Sequence, residues 1–214
     1  MEIVEFLVTN FRSGGIFMYG ILLVLVVGTA IVVERTLALV IRGRVNARAF
    51  WREIEELIDR DKLADALQRT TTADAPLARV LAAGLARAQR GETREAIERG
   101  MEETVREVLP QLEKRIHYLY TLSNVATLIG LLGTVVGLIT AFTAVSLADP
   151  AQKAALLANG ISLALNNTAF GLMVAILFML TYSFMQSRAA RIGDEIDEFS
   201  LRLANRLAAR SDRR

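Results

Sequence analysis

Three long runs without a charged residue constrain this chain more than anything else in it. Ser13 to Val33 is 21 residues, Tyr118 to Ala148 is 31 and Ala154 to Ser187 is 34. A bilayer core about 30 Å thick takes roughly 20 apolar residues in a helix, and a helix satisfies its own backbone where no water can. The runs predict an all-α integral membrane protein with three transmembrane helices. At 1.5 Å per residue the second and third runs would be about 46 and 51 Å long, so both should tilt or extend beyond lipid into a helical bundle. The expected boundaries are an N-terminal segment 1–12, spans at 13–41, 118–148 and 154–187, a long loop 42–117, a turn 149–153 and a C-terminal helix 188–214.

Lys and Arg near the ends of the runs set an expected orientation. The long loop carries Arg42, Arg44, Arg48, Arg52, Arg60, Arg106, Lys114 and Arg115, and the tail adds Arg188, Arg191, Arg202 and Arg206. The other side has Arg12 and Lys153. The positive-inside rule then puts the loop and the C-terminus in the cytoplasm and the N-terminus outside. Glu2 and Glu5 stand where a signal peptide would be positive, so the first span is expected to stay in the mature protein.

From Arg42 to His117 the chain carries 15 Lys and Arg and 14 Asp and Glu around apolar positions at helical spacing. Phe50, Ile54 and Leu57 predict a helix capped by Asn46, and Leu63 and Leu67 a shorter one. Thr70 to Asp74 reads as a connector. Leu77, Leu81, Leu85 and Ala88 predict a helix entered at Pro76 and ended at Gly91. Ile97, Met101, Val105, Val108, Leu112 and Ile116 predict one rod running into the second span, kinked at Pro110. In the tail, Ile192, Ile196, Phe199, Leu203 and Leu207 form one stripe, expected to pack on the cytoplasmic helices.

Composition removes several functions. There is no cysteine and His117 is the only histidine, which leaves little for a disulfide scaffold, a zinc site or a hydrolase triad. The net charge of +2 is spread among interspersed signs, so nucleic acid is not an expected partner.

Within the second run, Ala126, Gly130, Gly133, Thr134, Gly137 and Ala141 fall on one narrow face at offsets 0, 4, 7, 8, 11 and 15. In the third, Gly160, Ala164, Asn167, Thr168, Gly171 and Ala175 repeat those offsets. Small faces let helix backbones approach closely, which favours association in lipid. Thr134 precedes Asp149 by 15 residues and Thr168 follows Lys153 by 15, so in an antiparallel hairpin the two threonines should lie at one depth. That depth is about 22 Å from the turn. Asn167 adjoins the small face and Asn166 points elsewhere; both amides are expected to face other helices.

The segment Gly130-Leu131-Leu132-Gly133-Thr134-Val135-Val136-Gly137, with Gly160-Ile161 and Asn167-Thr168-Ala169-Phe170-Gly171-Leu172, resembles the ExbB/TolQ/MotA family of ion-channel and stator subunits. So does Glu34-Arg35 at the end of the first run. The resemblance covers the whole order of elements, and three spans match the ExbB/TolQ branch, since MotA-like subunits have four. It implies a homopentamer in the bacterial inner membrane around a central pore. That pore would hold single-span partners of the ExbD/TolR type, each bringing an aspartate. The family's threonines fall on Thr134 and Thr168, which would face the pore and donate to that aspartate when it is ionised. No cofactor is implied.

The chain departs from the family pattern at Leu163, where a glutamate is usual, at Asn166 and Asn167, which replace smaller apolar residues, and at Thr127, which replaces a proline. No acid remains within the second or third run, so a proton-binding group must come from a partner. Glu34 and Arg35 read as a structural pair at the membrane boundary. The expected function is an ion-driven energy-transducing channel subunit, with protons as the expected ion. The alternatives are a non-conducting scaffold for a single-span partner and a sodium-driven unit of the same kind. Enzymatic activity is not expected, since Gly130 to Gly137 lacks the lysine and the preceding strand of a phosphate loop.

Overall fold

A computed structural model describes residues 15–42 and 46–211. The expected segment 1–12 lies outside them. The described residues form α1 (Gly15–Arg42), α2 (Ala47–Asp59), α3 (Leu63–Thr72), α4 (Pro76–Gln89), α5 (Arg94–Glu113), α6 (Ile116–Leu147) and α7 (Pro150–Ser211), with no strand among them. Three stretches are long and apolar enough to cross a membrane, within Gly15–Leu39, Arg94–Leu147 and Pro150–Arg210. The described chain divides into two units, one of residues 15–34 and 115–184, the other of 35–42, 46–114 and 185–211.

The two units are built for different solvents. In the first, α6 buries Ser123, Ala126, Gly130, Gly133, Gly137 and Ala141, and turns Leu128, Leu131, Leu132, Val135, Ile139 and Phe142 outward. A water-soluble fold does the reverse. Burying small residues and exposing large apolar ones is stable where the surroundings are hydrocarbon, because leucine then gains nothing by moving inside. The second unit buries Phe50, Trp51, Ile54, Ile58, Leu81, Leu85, Ile196, Phe199 and Leu203 beneath exposed charges, as a protein core in water does.

Several local expectations hold in the second unit. Asn46 caps α2 by accepting a hydrogen bond from the Ala49 amide at 3.2 Å. Pro76 opens α4, and Gly91 takes the left-handed φ of 73° that ends it. In the tail, Phe199 stacks on Trp51 with ring centroids 5.6 Å apart, and Arg206 pairs with Glu55 at 2.5 Å.

Three expectations need correction. The connector is shorter than Thr70–Asp74, because α3 runs on to Thr72 and leaves residues 73–75. Thr70, Thr71 and Thr72 can each donate to a carbonyl three or four residues back, which keeps their hydroxyls satisfied in the helix. Pro76 holds Ala75 extended, with φ −138° and ψ 145°.

The single rod through Ile116 is instead two helices, because Arg115 adopts a left-handed φ of 65° between α5 and α6. Pro110 sits inside α5 without ending it. The turn between the second and third runs is also tighter than 149–153, since Pro150 already starts α7. Its fixed φ suits a first helical position. From there α7 continues to Ser211 without a break, so the expected span and C-terminal helix are parts of one element.

Candidate ion-pathway site

The site is built on the antiparallel pairing of α6 with the first part of α7. A methyl group placed on Gly130 would lie 3.0 Å from the Asn167 carbonyl oxygen and 3.2 Å from the Gly171 Cα. One on Gly137 would lie 3.0 Å from the Ala164 Cβ, and one on Gly160 would overlap Ala141. Ser123 adds an interhelical hydrogen bond, donating to the Ala175 carbonyl at 2.8 Å. Ala126, Gly130, Gly133, Gly137 and Ala141 thus face Gly160, Ala164, Gly171 and Ala175 within one chain, and the small faces form the seam of this hairpin.

The seam sets the level of the threonines. The Thr134 and Thr168 hydroxyls touch each other. Thr134 Oγ1 is also 3.2 Å from the Gly130 carbonyl and 3.2 Å from the Ala164 carbonyl, and Thr168 Oγ1 is 3.1 Å from the Gly130 carbonyl. Equal sequence distance from the turn thus becomes direct contact, at the half-buried edge of the seam. Each hydroxyl carries one proton. Two protons face a shared carbonyl, a second carbonyl and the partner hydroxyl, so both are used within the hairpin and oxygen lone pairs remain.

Asn167 is only 1% exposed and lies against Gly133, where a Cβ would be 2.9 Å from its Nδ2. Its Oδ1 finds no donor among the described residues. Asn166 is half-buried on the same helix. Among the described residues no group of three or more acids or histidines could hold a metal ion.

The boundary residues take distant partners. Glu34 Oε2 accepts from Arg115 Nη1 at 2.6 Å. Arg35, 8% exposed, donates to the Lys114 carbonyl at 2.9 Å and to the Gln111 carbonyl at 3.4 Å. These are carbonyls that a helix end leaves without an intrahelical donor.

Sequence reading missed two contacts. Ser123 carries no signal in a run that also holds Thr121, Asn124 and Thr127. Gly28 of α1 lies against the Phe178 ring, which is 1% exposed. A glycine in an apolar run gives no indication of which ring covers it. His117 joins Tyr120 and Tyr182 in a ring cluster, at centroid distances of 6.0 and 6.5 Å.

The model of the MotA/TolQ/ExbB proton channel family matches residues 72–198. A biopolymer transport protein ExbB homologue of Methanothermobacter thermautotrophicus is 31% identical over 192 residues, covering 89% of this chain and 66% of that protein. The Tol-Pal system protein TolQ of Haemophilus influenzae is 38% identical over 106 residues, 48% of this chain and 46% of TolQ. An ExbB-like biopolymer transport protein of Synechocystis is 34% identical over 116 residues, 54% of each chain. The chain thus spans under two thirds of the length of these curated relatives.

Proposed function

The chain belongs to the MotA/TolQ/ExbB proton channel family, and from that premise we propose that it is the channel subunit of an ion-driven machine in the bacterial inner membrane. It works with a single-span partner of the ExbD/TolR type that carries a membrane aspartate, around the pore of a homopentamer. The N-terminus faces the periplasm, and the arginine-rich loop and tail face the cytoplasm. Ion flow down the membrane potential supplies about 2.3 kcal/mol per charge per 100 mV and moves the partner helices, which deliver work elsewhere in the envelope.

The observation that carries this reading is the contact of Thr134 with Thr168. It sets two exchangeable hydroxyls side by side, in a part of the chain whose outward face is mostly large apolar side chains. The hydroxyls, half-buried at the seam's edge, trade a backbone carbonyl for a partner's carboxylate or a passing water with little loss. The chain supplies the hydroxyls and the partner supplies the group that titrates.

The test is Thr134→Val with Thr168→Val, which keeps shape and removes both hydroxyls. In liposomes containing the partner, proton flux should fall to the level seen without it. Flux at the unsubstituted level would end this reading. The same assay separates a non-conducting scaffold, which the complete use of both hydroxyl protons within the hairpin favours; a scaffold passes no current with or without the partner.

A further inference from the structure

Many exposed charges of the second unit are paired within it: Arg60 with Glu56, Arg69 with Glu53, Arg94 with Glu98, and Arg206 with Glu55 and Asp59. Two small groups are not. Arg48 and Arg52, one turn apart on α2, are exposed and make no ion pair among the described residues. Glu102 on α5 and Asp197 on α7 are exposed and make none either.

The two free acids line a groove of about 390 Å³ between α5 and the tail of α7. Met101 and Ala204 are buried beneath it, and Leu201 in its wall is 60% exposed. With Glu98 the groove carries three acids against one base, Arg106. An apolar floor under an excess of carboxylates suits a helix that presents arginine or lysine.

The unit carries such a helix on its other side. Trp51 stacks on Phe199, and Arg206 reaches Glu55 and Asp59, so α2 runs in the same direction as the tail of α7 and Arg52 stands at about the level of Asp197. At about 100° per residue, Asp197 and Leu201 lie on the side of α7 opposite Phe199. The basic pair and the acidic groove are therefore level but face away from each other, with α7 between them. One chain cannot close them on each other. Copies related by rotation can, because complementary patches on opposite sides make the head-to-tail contact that a ring of subunits requires.

We propose that the α5–α7 groove receives α2 of a second copy of this chain, with the next copy's Arg48 and Arg52 meeting Glu102 and Asp197 and covering Leu201. The contact rests on the ring of the proposed function, and it gives that ring an order: each copy offers α2 to one neighbour and its groove to the other. Charges at such a rim act mainly on register and on the choice of partner.

The chain has no cysteine, so introduced pairs are read without background. The test uses the full chain in detergent, mildly oxidised, with its assembled mass measured by native mass spectrometry. Arg52→Cys with Asp197→Cys in one chain should give a ladder of crosslinked species up to the full ring, and either substitution alone should give none. Exchange of subunits between differently tagged rings should quicken about fivefold in Asp197→Arg, the scale of a lost exposed pair, and slow again in Asp197→Arg with Arg52→Asp. Both positions are exposed, so the charge swap remains informative if a cysteine variant assembles poorly. A swap that fails to slow the exchange overturns the pairing. Crosslinks in Asp197→Cys alone overturn the head-to-tail order. A ring of unchanged mass without crosslinks in the double variant overturns the contact, leaves the ring standing and gives the groove to a basic segment of another protein. A monomer overturns the contact and the ring together. Crosslinked rings that pass no ions with the partner present keep the contact and remove the channel.

Discussion

Gly171 and Ala126 are in backbone contact: a methyl group on Gly171 would sit 2.7 Å from the Ala126 carbonyl oxygen and 3.0 Å from the Gly130 Cα. A backbone oxygen cannot swing aside as a side chain can, so the spacing of α6 and α7 depends on that missing methyl. Gly171→Ala should force the helices apart and destabilise the protein by about 1–3 kcal/mol, the usual range for overpacking. Thermal unfolding in detergent should show a clear loss for Gly171→Ala. Gly20→Ala is the control, because its methyl would meet Ile129 at an ordinary 3.5 Å. There the gain in helix propensity, up to about 1 kcal/mol, should leave stability unchanged or slightly raised. Equal behaviour of the two variants would contradict this account of the seam.

Gly28 and Phe178 should behave as a coupled pair. The Gly28 methyl would overlap the Phe178 ring, so Gly28→Ala alone is expected to destabilise. Adding Phe178→Leu should recover part of that loss, since a smaller side chain leaves room for the methyl. A double-mutant cycle measures this directly, with an expected coupling of about 0.5–3 kcal/mol. Simple additivity would show that the ring moves freely.

Ser123→Ala removes the 2.8 Å hydrogen bond to the Ala175 carbonyl and little else. Interhelical hydrogen bonds in membranes are worth about 0.6–2 kcal/mol. The expected result is a small drop in the unfolding midpoint with partner-dependent flux unchanged, which distinguishes this hydroxyl from those of Thr134 and Thr168.

Arg35 should matter more than its neighbour Glu34. The Glu34–Arg115 pair has side chains 40% and 45% exposed, and a pair so open to solvent contributes under about 1 kcal/mol. Arg35 is buried and serves two carbonyls near the end of α5. Arg35→Met removes that donor, at a cost of about 1–3 kcal/mol. Chemical unfolding of both variants checks the order; a larger effect for Glu34→Gln would reverse it.

Trp51 is the only tryptophan, buried against Phe199, and so reports on the charged unit alone. Phe199→Ala should cost about 3–5 kcal/mol there. Tryptophan emission should shift to the red at a lower denaturant concentration than in the unsubstituted protein. An unshifted midpoint would mean that the tail does not hold this core together.

The elements of this protein were mostly legible because their signals are local. Charge-free runs, the Asn46 cap, Pro76 and Gly91 each act within a few residues, and the structure follows them. The failures were at junctions. Arg115 has no residue-type signal for a left-handed φ, since glycine is the usual occupant. The three threonines of α3 read as a connector because β-branched residues disfavour helices, and their back-bonding to carbonyls is visible only once the helix exists.

The threonine level was open to arithmetic along the chain, because an antiparallel hairpin makes distance from its turn equivalent to depth. That alone placed Thr134 and Thr168 together. Arithmetic along one helix could not tell which side chains oppose which. The tertiary structure decided that the small faces close on each other within one chain, that Gly133 makes room for the Asn167 amide, and that the amide oxygen meets no donor among the described residues. Periodicity records which residues share a face. The occupant of the opposing face is set by how two helices settle against each other, and only their packing reveals it.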